Sequence, residues 1–302
     1  MATHLQVCPL HRGRIVTISD VRCRPYCRAC GGEEWSEAHQ IVFVRSGVFV
    51  KRQGKRELVA DPNQVLFFNR QETYRVSHPV DGGDDCTVFT FRTEILMEAV
   101  ELFRKRDEGE QPFQFEHAFS VRRSFLLHQR LRQFLIAGEN DSLAIEEASL
   151  ALLGRVLADA YAACAIPPRR CRTATADAHR QHCDAARLLL ATRFAENLTL
   201  EDIAASIHVS PFHLARIFRR ETGLSIHQYR NCLRLRTALD RINAGATDLT
   251  GLALDLGYSS HSHFTDAFRR SFALSPSECR RVSPARLREL SRNLEVSESG
   301  AV

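Results

Sequence analysis

The chain has 302 residues, of which 44% are hydrophobic and 25% charged, and its formal net charge is +5. This composition is typical of a globular protein with a full core and excludes a chain too polar to fold. No apolar run reaches the roughly 18 residues of a transmembrane helix, and residues 1–14 lack a signal-peptide core. We therefore expect a cytoplasmic protein without a membrane partner, whose 10 cysteines are mostly reduced thiols.

Residues 14 to about 93 are predicted to form strands. Short β-branched and aromatic runs alternate there with Gly, Asp, Pro and Asn at intervals typical of a β-sandwich or barrel. The aromatic residues are expected in a barrel core, with the lining of a ligand cavity as the alternative: Trp35, Phe43, Phe67, Phe68, Tyr74 and Phe89. Three arginines are expected on the solvated surface, with a clamp on an anionic effector as the alternative: Arg45, Arg70 and Arg75.

The same region contains a cluster of closely spaced cysteines: Cys23, Cys27 and Cys30. Thiolates at this spacing can share a metal ion, with Cys8, His11 or His39 as a fourth ligand, or can sense redox state. We expect unligated thiols and no cofactor, and the metal or redox site stays open as the alternative. Because the β region contains no H-x-H pair, His39 and His78 are expected to be exposed or hydrogen-bonded rather than metal-bound.

From Thr93 onward the apolar residues recur at helical spacing, which predicts three helical segments up to residue 163. The apolar stripe formed by Leu127, Leu131 and Leu135 fits either packing within the chain or the seam of a homodimer. Residues 164–178 lack periodicity and contain two consecutive prolines, which predicts a linker.

Residues 200–230 and 249–280 contain the same helical unit twice. Their apolar positions match at an offset of 49 or 50 residues, as in Ala204 and Ala253. Each copy has the pattern of a helix, a tight turn and a second helix, so the repeat predicts two helix-turn-helix units. Residues 179–283 contain 14 Arg and no Lys against 10 Asp and Glu, a positive balance that favours a polyanionic partner.

The second helix of each unit is predicted to enter the major groove of DNA. In the first unit, His208 is expected in the turn at positive φ, and Ser210 is expected to cap the second helix. In the second unit, Gly257 is expected in the turn, followed by Ser259 or Ser260 as the cap. The side chains left for DNA are Phe212, His213, Arg216, Arg219 and Arg220 in the first unit, and Ser262, His263, Thr265, Asp266, Arg269 and Arg270 in the second.

The segment between the two units is predicted to form one long helix that ends at Gly245. A helix of about 20 residues spans roughly 30 Å, which is close to the roughly 34 Å of one turn of duplex DNA. One chain can therefore place two helices in successive major grooves.

These segments resemble a known family. GYSSHSHFTDAFRRSFALSPSECRR and LTLEDIAASIHVSPFHLARIFRRETGLSIHQYRNCLRLRTA are similar to the C-terminal region of the AraC/XylS family of bacterial transcription regulators. The resemblance covers about residues 179–283 and implies two helix-turn-helix units that bind promoter DNA and usually activate RNA polymerase. It also implies base contacts at the positions of Phe212, Ala215 and Arg216. With Ala215, Ser210 and His261 added to the side chains named above, the set of predicted DNA-contacting residues is complete.

The N-terminal strands resemble the sensor domain of the same family, a cupin-like β-barrel, which implies effector sensing or dimerisation. The resulting fold class is α+β, with a helical connector and an all-α C-terminal domain. The predicted domains are 1–118, sensor; 119–163, connector that includes the dimerisation alternative; 164–178, linker; 179–283, DNA binding; and 284–302, tail.

The sequence predicts a sequence-specific transcription regulator, an activator that responds to an unidentified small molecule and contacts promoter DNA and RNA polymerase. We expect no enzymatic activity. Two alternatives stay open: a cupin-type metalloenzyme with an appended DNA-binding module, and a regulator that senses thiol state or metal.

Overall fold

The computed structural model describes residues 4–24, 31–54, 56–103, 111–164 and 173–280. Its strands are β1 (His4–Arg12), β2 (Val16–Arg24), β3 (Glu34–Trp35), β4 (Gln40–Gly47), β5 (Phe49–Gln53), β6 (Arg56–Ala60), β7 (Gln64–Phe68), β8 (Thr73–Ser77), β9 (Asp84–Phe91) and β10 (His117–Phe119). Its α-helices are α1 (Thr93–Glu101), α2 (Arg122–Ile136), α3 (Ser142–Cys164), α4 (Thr173–Arg193), α5 (Leu200–Ser206), α6 (Pro211–Thr222), α7 (Ile226–Asn243), α8 (Leu249–Asp255) and α9 (His261–Phe272).

The strands form two sheets. A six-stranded sheet has the order β1-β2-β9-β4-β7-β10, and a four-stranded sheet has the order β3-β8-β5-β6. Within the described strands the ladders do not close on themselves, so the prediction of a closed barrel is wrong at this level. No ladder joins the two sheets among the described strands, and the large sheet is covered by the small sheet on one face and by helices on the other.

Period-two alternation explains this double coverage. Phe43 of β4 and Phe67 of β7 belong to a core shared with helices α1 to α3. Their neighbours Val44 and Phe68 belong to a second core that faces the small sheet. Strands with both faces buried appear in the sequence as continuous apolar runs, as β4 and β7 do.

Helices α2 and α3 pack within the chain. Leu127 and Leu131 are fully buried in the core beneath the large sheet, and Leu135 is packed at its margin. The apolar stripe is therefore intrachain core. Trp35 departs from the predicted barrel core, since 65% of its surface is exposed. Among the described residues, no helix combines the length and apolar character needed to cross a bilayer.

The helical C-terminal region begins earlier than the sequence indicates. Helix α4 starts at Thr173, inside the segment expected to be a linker, because the run TATADAHR extends the helical pattern towards the N-terminus. The predicted long helix between the two units is present as α7, which has 18 residues. Ser225 begins it with a capping box, in which its side chain accepts from the Gln228 amide.

Helix α7 also lies against the N-terminal half through polar contacts. The Tyr229 hydroxyl donates to Asp61 Oδ2 at 2.7 Å, and Asn63 Nδ2 donates to the Tyr229 carbonyl at 3.0 Å. The fully buried Arg236 guanidinium donates to the carbonyls of Pro62 and Ser120. Buried polar groups need such partners, so these bonds fix the orientation of α7 against the sheet.

Candidate nucleic-acid interface

The first helix-turn-helix unit consists of α5 and α6. Thr199 accepts from the Asp202 amide at 3.1 Å, and the Thr199 amide donates to Asp202 Oδ2 at 2.8 Å, which completes a capping box. The turn passes through His208 at a φ of 57°, as predicted. Ser210 then begins α6 by accepting from the His213 amide at 3.2 Å. These local bonds fix where α6 starts and hence which face it exposes.

The second unit consists of α8 and α9 and repeats this design. Asp248 begins α8 by accepting from the amides of Thr250 and Gly251. The turn passes through Gly257 at a φ of 81°. Of the two predicted caps, Ser260 is the one whose side chain accepts from the His263 amide, at 3.1 Å. The two units therefore place helices of the same length, 12 residues each, after equivalent turns.

Helices α6 and α9, the recognition helices, each bury one face. Leu214, Ile217 and Phe218 are inaccessible in α6, and Phe264 and Phe268 are inaccessible in α9. This spacing of three and four residues leaves the opposite face to solvent. Phe212 lies there with 80% of its surface exposed, so its ring is available for contact with a partner.

Most of the predicted DNA-contacting side chains lie on these exposed faces. The exposed members of the set are Ser210, Phe212, Ala215, Arg216, Arg219, Arg220, His261, Ser262, His263, Asp266, Arg269 and Arg270. His213 is half-buried, with its ring centroid 5.3 Å from that of His179. Thr265 is also half-buried, and its hydroxyl is buried without a hydrogen-bond partner in the described part of the chain. These two side chains are therefore turned partly towards protein.

Arg220 differs from the other arginines of the recognition helices. Its guanidinium pairs with Glu221 at 2.5 Å and lies 2.7 Å from His179 Nδ1. Among the described residues, Arg216, Arg219, Arg269 and Arg270 have no carboxylate partner. A guanidinium already paired with a carboxylate gains less from a phosphate, so Arg220 is expected to contribute less to DNA binding.

A residue that the sequence interpretation missed joins the end of α4 to the turn of the second unit. Arg234 of α7 donates to the Phe194 carbonyl at 2.7 Å and to the Gly257 carbonyl at 2.9 Å. Gly257 has no room for a side chain, because a Cβ there would lie 2.1 Å from the Ala195 carbonyl oxygen. The end of α4, helix α7 and the turn of the second unit are thus held together. The arginine-rich run of α7 was the only sequence signal for this contact.

The N-terminal half contains two features relevant to sensing. An open cleft of about 400 Å³ is lined by Glu33, Arg52, Tyr74 and Arg75. Of the arginines considered for an effector clamp, Arg75 lies in this cleft. Arg45 is instead buried and pairs with Asp20 and Asp240 at 3.5 and 3.3 Å, so it has a structural role.

The structure places Cys23 beside His78 and Asp84, while Cys27 and Cys30 lie outside the described residues. His78 Nε2 is 2.6 Å from Asp84 Oδ1. Burial lowers the pKa of His78, but hydrogen bonds to Asp84 and Cys23 outweigh burial and raise it to about 9. His39 accepts from the Arg70 amide at 3.1 Å. Both histidines are therefore hydrogen-bonded.

Comparison with known proteins gives consistent matches. The family described as a helix-turn-helix domain matches residues 203–282. YbfI, an uncharacterized HTH-type transcriptional regulator of Bacillus subtilis, is 24% identical over 227 residues, 74% of this chain and 77% of that protein. The HTH-type transcriptional activator RhaS of Escherichia fergusonii is 35% identical over 98 residues, 32% of this chain and 35% of that protein.

A solved structure is also similar. The crystal structure of a transcriptional regulator with an AraC-type DNA-binding domain, from Chromobacterium violaceum, is 28% identical; the match covers 34% of this chain and 93% of that chain, with a TM-score of 0.33. This chain spans about a third of the length of RhaS. The resemblance predicted for the C-terminal third is confirmed by the helix-turn-helix match.

Proposed function

We infer that this chain, which carries the helix-turn-helix domain of the AraC/XylS family of transcription regulators, binds promoter DNA and controls transcription. The observation that carries this inference is the pair of recognition helices. Both start at a serine cap, both bury apolar side chains on one face, and both expose arginines on the other that have no carboxylate partner among the described residues. A basic face on the second helix of such a unit fits the major groove.

The proposed mode of binding is bipartite. Helix α7 has 18 residues, or about 27 Å at 1.5 Å per residue. This length approaches the roughly 34 Å between successive major grooves on one face of the duplex. The Arg234 contacts and the absence of a side chain at Gly257 support a fixed position of the second unit against α7 and the end of α4.

We assign direct base contacts first to Phe212, Ala215 and Arg216 in α6, with Arg219 on phosphate. In α9 we assign them to Ser262 and Asp266, with Arg269 and Arg270 on phosphate. Asp266 is an acid at the position where the first unit has Arg216, and it suits only a donor such as the cytosine amino group. His213, Thr265 and Arg220 receive lower weight because each is turned towards protein or already paired.

We assign effector sensing to the N-terminal sheets, within residues 1–118, in a cupin-like fold opened into two layers. The cleft that contains Arg75 is the candidate binding surface, and its arginines favour an anionic small molecule. The polar contacts of Tyr229 and Arg236 with the N-terminal half provide the route by which binding would reach α7. Activation through RNA polymerase is the proposed output.

The test is selection of bound sites from fragmented genomic DNA with the full-length protein, followed by footprinting. We expect short protected sites with two contact regions about one helical turn apart. Arg216→Ala is expected to weaken these sites while leaving the circular dichroism spectrum unchanged. Recovery of fragments without any common sequence would remove sequence-specific DNA binding as the function.

A further inference from the structure

A buried cluster of unlike donor groups lies where the two sheets meet. Cys23 offers its sulfur, His78 a ring nitrogen and Asp84 a carboxylate oxygen, and these three atoms lie within 4.8 Å of one another. The exposed fractions of the three residues are 8%, 3% and 6%. The cluster is separate from the recognition helices and from the cleft that contains Arg75.

The topology explains why these residues converge. Cys23 near the end of β2 is the register partner of Asp84 at the start of β9, so their side chains share one face of the large sheet. His78 follows β8 of the small sheet. The connection from His78 to Asp84 is held close to β4, because a Cβ on Gly47 would lie 2.1 Å from the Gly83 carbonyl oxygen.

Surrounding groups hold the three donors in place. The Cys86 thiol donates to Asp84 Oδ2 at 3.1 Å, so the second carboxylate oxygen is occupied. Arg24 donates to the carbonyls of Cys23 and Asp84 at 3.0 and 2.9 Å, and thereby joins the two strands at the cluster. Hydrogen bonds that orient potential ligands in this way are a regular feature of metal sites.

We propose that Cys23, His78 and Asp84 form a binding site for a divalent metal ion of the zinc class. Sulfur, imidazole nitrogen and carboxylate oxygen are the three donor types that Zn²⁺ takes, and hard cations such as Mg²⁺ do not use thiolate. Two ligand atoms about 2.0–2.1 Å from a tetrahedral ion lie about 3.3 Å apart. His78 Nε2 and Asp84 Oδ1 are now 2.6 Å apart, so a small movement of the two side chains gives the distance of about 3.3 Å that a shared ion requires.

The burial of the cluster indicates the kind of site. All three side chains are buried, which keeps a substrate away from the ion and suits a structural or sensing role. The site also differs from the cysteine cluster that the sequence suggested, because two of its ligands come from residues 55 and more positions away along the chain. It does not depend on the proposed DNA binding.

The test measures metal binding by the full-length reduced protein after treatment with a chelator. Titration with Zn²⁺ is expected to give one tight equivalent. With Co²⁺ we expect thiolate-to-metal charge-transfer absorption and the visible bands of a tetrahedral ion. Cys23→Ser and His78→Gln are expected to weaken Zn²⁺ binding by at least about tenfold, the lower end of the effect of removing an orienting group.

Cys8→Ser is the matched control, because this exposed thiol lies on the neighbouring strand β1. It is expected to bind one equivalent as before, and Cys86→Ser is expected to retain the stoichiometry with weaker affinity. Loss of binding only in a Cys27→Ser, Cys30→Ser double variant would overturn the assignment. A cobalt spectrum of the unaltered protein without the thiolate band would overturn it as well, even if the variants fail to fold. Since DNA is absent from these measurements, failure here leaves the proposed regulatory function untouched.

Discussion

We predict that most of the salt dependence of DNA binding is lost when alanine replaces four arginines of the recognition helices together. These four have no carboxylate partner within the described part of the chain. These residues are Arg216, Arg219, Arg269 and Arg270. A protein that neutralises phosphates releases counterions, so the logarithm of its affinity falls with the logarithm of salt concentration by about 0.9 per contact. Four contacts therefore correspond to a slope of about 3.6.

This slope has a measurable size. Raising the salt concentration fourfold, from about 50 to about 200 mM, is expected to weaken the unaltered protein by about 150-fold more than the variant. The assay is fluorescence anisotropy with a labelled duplex of arbitrary sequence across that salt range. No operator is needed, because the electrostatic term does not depend on sequence.

The control variant carries the same change in net charge elsewhere. Four exposed arginines of the N-terminal half are replaced by alanine: Arg12, Arg14, Arg70 and Arg92. We expect this variant to keep the slope of the unaltered protein. Arg220→Ala is expected to reduce the slope less than Arg219→Ala, because Arg220 is already paired with Glu221. The assignment of Arg216, Arg219, Arg269 and Arg270 to the DNA interface would be refuted if the variant that lacks all four had the same salt slope as the unaltered protein.

Four further predictions test separate features. Phe212→Ala is expected to lower affinity for selected sites without changing the salt slope, because the exposed ring carries no charge; anisotropy across the same salt range measures both quantities. Gly257→Ala is expected to reduce the free energy of unfolding by more than the about 1–2 kcal/mol of left-handed backbone strain, because its Cβ also meets a carbonyl oxygen. Gly245 has a φ of 100° and open space around it, so Gly245→Ala is expected to show the backbone strain alone. Equal losses of the two variants in urea denaturation would contradict this prediction. Tyr229→Phe is expected to lower the free energy of unfolding by about 1–3 kcal/mol, because Asp61 loses a buried donor. Burial and nearby arginines lower the pKa of His128 well below its usual value, so only the unfolded chain takes up a proton at this residue as pH falls below about 6.5. The free energy of unfolding is therefore expected to fall with decreasing pH, by up to about 1.4 kcal/mol per pH unit for this group. Denaturation at several pH values should show this fall, and His128→Phe should give a flatter profile.

The helix-turn-helix units could be predicted closely because their determinants are local. A serine cap, a turn residue at positive φ and apolar residues three and four apart each act within a few positions of the chain. His208 and Ser210 therefore have the predicted roles, and the repeat supplies the same information twice. The short β-branched and aromatic runs between turn residues likewise predicted a β region, since strand and turn preferences are also local.

The structure corrected the predictions wherever distant segments meet. Arg220 lies 2.7 Å from Nδ1 of His179, which is 41 positions away and belongs to another helix, and no local pattern indicated this contact. The closed barrel was wrong because the sequence pattern shows that a strand face is buried but does not show what covers it.

Sequence alone thus determined the elements of this protein, their caps, their buried faces and the duplicated basic helices that indicate DNA. Tertiary structure alone decided which side chains share a site, including the meeting of Cys23 with His78 and Asp84 and the contact of α7 with the N-terminal half. The physical reason is that hydrogen bonding and periodicity within an element depend on neighbouring residues. Contacts between elements depend on packing in three dimensions, which leaves no local signature in the sequence.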